Sequence, residues 1–235
     1  SINAFVFSFL NPYTVGMGKF IRHVSSSDII QVLRQPQFLP FILSVLFSQI
    51  AFNMLNVVLI FLVYFLSDSN IMVSLIVLTA ILPQIFLSFF GGILADLKNK
   101  KHILMIGNLL RALVACFLFI YYDSLIAIFV SALIISIITQ FYVPAETPFI
   151  PKLVKQKYLL AANAIFGMCL FGSILVGYVI AGPLITVIGR SYIFLALSGL
   201  FILASICAWF IPTYVNVIVS HPLLKGPFVL YMHRL

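Results

Sequence analysis

The chain has 235 residues, 63% of them hydrophobic and only 8% charged, with a mean hydropathy of +1.23. Soluble domains run near half apolar and a quarter charged, so a soluble core cannot absorb this excess. The formal charge of +8 sits in short clusters between apolar blocks, not in a basic stripe interleaved with aromatics; this argues for membrane topology and against nucleic acid.

The run Ile2–Leu10 is too short to cross a bilayer and lacks the basic start and small-residue cleavage site of a signal peptide. With Lys19, Arg22 and His23 after it, it reads as part of an interfacial N-terminal segment over residues 1–37. Six apolar stretches are then long enough to cross about 30 Å of hydrocarbon. They run Phe38–Leu66, Ile71–Ala95, Ile103–Tyr122, Leu125–Val143, Leu159–Val187 and Tyr192–Ile211. Their apolar character is continuous and not alternating, so they are expected to be helices. The expected class is an all-α membrane protein with a six-span bundle over residues 38–212. A short cytoplasmic tail over 213–235, read as a truncated end, holds Pro222 and Pro227 and cannot form a further straightforward span.

Charge placement predicts orientation. Lys19, Arg22, Arg34, Lys98, Lys100, Lys101, Lys152, Lys155 and Lys157 flank one side of the spans, against Arg190 alone on the other. The positive-inside rule places both termini in the cytoplasm. Cys116, Cys169 and Cys207 lie far apart within apolar runs, without metal-ligand or disulfide spacing, and read as small lipid- or core-facing residues. His23, His102, His221 and His233 fall at loops and termini, and no phosphate-binding or catalytic motif occurs. No enzyme, cofactor or metal site is expected.

Several polar residues inside the spans stand out. Gln49, Asn53 and Asn56 share one face of the first span and should meet other helices or water. Interhelical hydrogen bonding and substrate contact weigh evenly for them, as for Gln84, Thr139 and Gln140. Arg111, about 13 Å below the cytoplasmic surface at 1.5 Å per residue, costs about 2.5 to 3.5 kcal/mol or more unless it meets a cavity or a partner. It is expected to face the bundle interior, with Asn108 on the same helix face; the alternative is a side chain snorkelling to the interface. Glu146, beside Pro144 and Pro148, would be a proton-relay candidate inside the membrane, but reads as an interfacial acid near Lys152 and Lys155. In the fifth span Gly167, Gly172, Gly177 and Gly182 permit close helix packing, and Pro183 can kink the helix.

Between the second and third spans, Gly92-x-Leu94-Ala95-Asp96 followed by Lys100-Lys101 resembles the signature loop of the major facilitator superfamily, with Leu97 and Asn99 in place of its usual basic residue and glycine. Further matches are Ser48-Gln49-Ile50, Asn108-Leu109-Leu110-Arg111, Pro144-Ala145, Ile150-Pro151-x-Leu153-Val154 and Leu160-Ala161-Ala162-Asn163-Ala164. Their order is similar to the bacterial macrolide and siderophore exporter branch. Ala51-Phe52 and Asn108 replace acidic positions common there, Glu146 stands where that branch commonly has a basic residue, and Gly172 to Gly177 resembles a degraded antiporter motif without its proline.

The resemblance implies the N-terminal half of a transporter that exports small amphipathic molecules by alternating access, proton-coupled as an antiporter, in the bacterial inner membrane. Gly92, Asp96, Lys100 and Lys101 would form its gating loop. Gln49, Asn53, Asn56, Asn108, Arg111 and Gln140 are the cavity or substrate candidates, and Gly172, Gly177, Gly182 and Pro183 the packing residues. The partners expected are membrane lipid, a small-molecule substrate and either the other half of a longer gene product or a second copy; nucleic acid is not expected. A six-helix scaffold without transport is the remaining alternative.

Overall fold

The computed structural model describes residues 26–97 and 99–211, except for the side chains of Ser26 and of residues 88–97. The N-terminal stretch to residue 25 and the tail from residue 212 lie outside the described residues, as do the expectations for them. All regular structure among the described residues is helical. A short helix, α1 (Ser26–Leu33), precedes six long ones and a shorter interruption: α2 (Phe38–Ser67), α3 (Asn70–Leu97), α4 (Lys100–Tyr121), α5 (Leu125–Glu146), α6 (Ile150–Leu153), α7 (Leu159–Ile188) and α8 (Tyr192–Trp209). Six helices, namely α2, α3, α4, α5, α7 and α8, are long and apolar enough to cross a membrane.

These are the six stretches expected from hydropathy, and most ends agree to within about three residues. Their ends are set by local chemistry. Asp68 takes a left-handed conformation (φ 47°) and its N–H donates to Tyr64 O at 2.8 Å, closing α2. Gly189 (φ 87°) closes α7 by donating to Ile185 O at 3.0 Å; a side chain there would be strained. The Asn99 side chain accepts from Lys101 N and the Ser124 side chain from Ala127 N, capping α4 and α5.

The fourth span runs past its expected end at Val143. Pro144 is carried inside α5, which continues to Glu146, and a 3-10 turn (Thr147–Phe149) and α6 follow directly. Pro148 and Pro151 occupy the first positions of those two short segments, where the missing N–H would have had no helical partner. The prolines here steer the chain from one helical segment to the next.

The packing has an internal two-fold pattern. The most extensive contacts are α4 with α8, α3 with α5, α2 with α7, α2 with α8, and α4 with α5. Exchanging the first three spans for the last three turns α2–α7 into α5–α3 and α2–α8 into α5–α4, and returns α4–α8 to itself. The α2–α3 contact has no counterpart of comparable extent. This is the three-helix symmetry that transporter bundles carry as internal repeats.

Two apolar clusters fill the bundle, one at each end. One joins Val58, Leu62, Leu118, Ile128, Leu197 and Phe201; the other joins Phe38, Phe41, Leu104, Tyr142, Phe149 and Ile211. Outward positions carry Phe86, Ile120, Phe171 and Val179, all well exposed, as a lipid-facing surface requires. Alpha1 docks on the second end through buried Val32, and Tyr158 donates a hydrogen bond to Gln31.

The contact between α4 and α8 is stitched by serines. Ser191, Ser198 and Ser205, seven residues apart, donate to Phe119 O (2.9 Å), Ala112 O (3.1 Å) and Met105 O (3.0 Å), which are seven apart in the opposite direction. A seven-residue repeat is the period of a left-handed helix pair, so three equivalent bonds recur along one antiparallel seam. Ser44 adds a fourth bond from α2 to Ala204 O at 2.8 Å.

Candidate functional site

The most polar part of the interior lies where α2, α4 and α5 meet. Arg111 is 2% exposed. Its Nη1 donates to Ser48 Oγ at 3.1 Å and its Nη2 to Thr139 Oγ1 at 2.9 Å. Ser48 donates in turn to Asn108 Oδ1 at 2.7 Å, and Asn108 Nδ2 donates to the Tyr142 hydroxyl at 3.2 Å. The Tyr142 ring lies under the guanidinium, 4.2 Å from its central carbon, and Phe52 lies 5.4 Å away on α2. The hydrogen bonds and the cation–π contact close a loop through three helices. Such a set offsets the cost of holding a cation away from water.

Arg111 therefore faces inward and does not snorkel to an interface. Asn108 reaches it through Ser48, so the two residues on one helix face cooperate by way of a neighbouring helix. Gly107 explains how α4 and α5 come close enough: a Cβ there would stand 2.9 Å from Tyr142 Cδ2.

Beside this cluster lies a cavity of about 260 Å³ walled by α2, α3 and α5. Its polar lining is Asn56, Gln84, Ser136, Thr139 and Gln140. Thr139 and Phe52 belong to both structures, so Arg111 stands directly behind the cavity wall. Asn56, Thr139 and Gln140 also bond to carbonyls one turn earlier on their own helices, Asn56 through Nδ2 to Phe52 O at 3.0 Å. Ser136 instead donates across to Ala80 O, tying α5 to α3.

The stripe on the first span divides between neighbours. Asn56 lines the cavity, and Gln49 turns to α5. Asn53 packs at the α2–α7 contact, where a Cβ on Gly177 would stand 2.7 Å from Asn53 Cβ, and its amide donates to Gln49 O at 2.8 Å. Of the packing residues, Gly177 alone sits at that close approach. Gly172 and Gly182 have open space where a side chain would go, and Pro183 is exposed within α7. None of those three sits at a close helix approach of the kind made by Gly177.

Glu146 departs from its interfacial reading. Hydropathy and the neighbouring lysines placed it at the interface, yet it is 2% exposed at the inner side of α5. Its Oε2 accepts from Gln49 Nε2 at 3.5 Å, while Oε1 has no hydrogen-bond partner; Arg111 Nε is likewise unpartnered. Ser48, Phe52 and Tyr142 are members of the site that the sequence did not single out, and Glu146 takes the interior position that the sequence disfavoured. The available signal was the spacing of Thr139, Tyr142 and Glu146, three and four residues apart on one helix face.

For the gating-loop residues, Gly92 and Asp96 fall in the last turns of α3, and their side chains lie outside the described residues. Lys100 is buried in the first turn of α4, and Lys101 Nζ lies 5.8 Å from the Trp209 ring of α8. At the opposite end Arg190 stacks on Phe65 at 3.3 Å. There the neighbouring Asp123 pushes the Tyr122 phenol above its ordinary pKa, chiefly by hydrogen bonding.

Comparison with known proteins decides the family. The sequence pattern of the Major Facilitator Superfamily matches residues 41–227, well over half of the chain. The chain belongs to the Major Facilitator Superfamily. It is similar to an uncharacterised MFS-type transporter of Bacillus subtilis (strain 168), YfiS, with 25% identity over 149 residues. The match covers 63% of this chain and 35% of the relative, so the chain spans about a third of that relative's length. As a superfamily member with six membrane-length helices, it is a multi-pass membrane protein of a transporter family.

Proposed function

We propose that this chain is one half of a secondary active exporter of small amphipathic molecules, working by alternating access and coupled to protons as an antiporter. The observation that carries the reading is the cavity between α2, α3 and α5, with a buried cation directly behind its wall. A lining of amides and hydroxyls beside Phe52 and Leu59 suits a substrate with both polar and apolar surface. Membership of the superfamily and the internal two-fold pattern support rocking of this bundle against a companion half. That companion is a second six-span unit, from the same gene product or from another copy.

The order of motifs similar to macrolide and siderophore exporters is what favours export over uptake. The excess of lysine and arginine at one end supports an orientation with both termini in the cytoplasm of a bacterial inner membrane.

The test is reconstitution of the chain in liposomes, with movement of a fluorescent dye, a macrolide and a siderophore followed under an imposed pH gradient. Accumulation about tenfold above protein-free liposomes is expected for at least one class. A chain that stays dimeric by crosslinking yet neither binds nor moves any of them is a six-helix scaffold, and the transport reading fails.

A further inference from the structure

Glu146 is a buried acid that the cavity argument leaves unused. An ionised carboxylate offers about four acceptor sites, yet Glu146 accepts a 3.5 Å bond from Gln49, has the Tyr142 hydroxyl beside it, and keeps Oε1 without a partner. The described arrangement therefore suits the protonated carboxyl better than the carboxylate. Among the described residues, the charged or titratable groups facing it are Arg111 from α4 and Tyr142 from its own helix; α2 contributes the neutral Gln49. Arg111 in turn keeps one unpartnered nitrogen, Nε, and its guanidinium rests on the Tyr142 ring. Tyr142 stands midway between Thr139, which Arg111 now holds, and Glu146, one turn farther along the same face.

We propose that Glu146 is the residue at which the bundle takes up and releases a proton, and that its ionisation draws Arg111 along α5 from Thr139 towards Glu146. The proposal rests on the transport reading and deepens it by naming the residue that couples a proton to it.

The step is a simple exchange. The carboxyl loses its proton to water, becomes a carboxylate, and gains the guanidinium as its counter-charge, while the hydrogen bond from Arg111 Nη2 to Thr139 breaks. The buried charge then alternates between one cation and a neutral pair. A lone cation favours a wetted cavity, whereas a neutral pair tolerates closure against a dry companion surface. The guanidinium, already over the Tyr142 ring, has about four residues of helix, roughly 6 Å, left to cover. An arginine side chain can cover that by rotamer changes, with the Tyr142 ring as the surface it slides across. Thr139, freed of Arg111, would then change the hydrogen bonding of the cavity wall, which links the proton to the substrate side.

A purely structural Glu146, tying the end of α5 to α2 through Gln49, is the competing explanation. The full chain in proteoliposomes separates the two by infrared difference spectroscopy between about pH 5 and about pH 9. A protonated-carboxyl band that titrates in the wild type and is absent in Glu146→Gln is expected. Gln49→Ala keeps the carboxyl and should move the pH midpoint of that band, which provides a readout if Glu146→Gln does not fold. Where transport is measurable, Glu146→Gln should reduce pH-driven accumulation by about tenfold or more. A band unchanged by Glu146→Gln, a midpoint unmoved by Gln49→Ala, or full pH-driven accumulation without the carboxyl overturns the proposal. Absence of transport in the wild type counts against the transport reading instead, and the infrared result still decides Glu146.

Discussion

The two faces of α4 bury polar groups in different ways. Towards α8 it offers backbone carbonyls to three serines, the bonds repeating at seven-residue intervals. Towards α2 and α5 it offers Asn108 and Arg111, whose bonds run between side chains and leave Arg111 Nε unpartnered. A serine bonded to a carbonyl has one arrangement and no net charge to satisfy. A guanidinium has several donors, several potential partners and a charge that must be balanced. The first face is built to stay fixed, and the second has alternatives available to it. A transporter bundle needs both, because a moving site requires a rigid frame.

Substitutions on α4 can break that contrast. The largest effect is expected for Arg111→Ala, which removes the donor to Ser48 and Thr139 and empties the space over Tyr142. Transport should fall by about a hundredfold, a change of about 2.7 kcal/mol in the rate-limiting barrier, while helix content by circular dichroism stays near wild type. Unchanged transport would remove Arg111 from the mechanism. Next is Gly107→Val, which pushes a side chain into Tyr142 Cδ2. Overpacking of this kind costs about 1 to 3 kcal/mol, seen as a lower unfolding midpoint in a thermal fluorescence assay, and it should also disturb the Arg111 loop. The smallest effects belong to the other face. Ser191→Ala, Ser198→Ala and Ser205→Ala should each lower stability by about 0.6 kcal/mol, the usual size of an interhelical hydrogen bond in a membrane, and leave transport unaffected. A serine variant that abolished transport while folding normally would show that the two faces are not separate.

Much of this architecture was legible in the sequence because lipid imposes a simple rule. Each stretch that can cross must be apolar along about 20 residues and must satisfy its own backbone, so hydropathy located the six spans with little information about packing. Arg111 was legible for the same reason, as the cost of a cation at that depth is high enough to demand a partner.

The less legible features depend on which helix stands next to which. Glu146 looked interfacial because Pro144 seemed to end its helix and lysines follow closely; α5 instead continues through Pro144 and turns Glu146 towards Gln49. Asn53 shares a face with Gln49 and Asn56, yet the approach of Gly177 gives that part of α2 to α7. The serine seam was hidden for another reason. A hydroxyl in a helix can bond to the carbonyl one turn earlier, as Ser67 and Thr79 do here, so a serine in an apolar run carries no sign of whether it bonds locally or across a helix pair.

The serine seam also limits how the bundle can deform. With donors and acceptors matched every seven residues in opposite directions, a slide of α8 along α4 by a residue or a single turn breaks all three bonds together. The register returns only after about 10.5 Å, a full repeat at 1.5 Å per residue. Shear between these two helices is therefore closed as a mode of motion, while tilting of the pair as one stiff beam remains open. If the bundle moves during a cycle, α4 and α8 serve as its keel, and displacement falls to α2, α3, α5 and α7 around them.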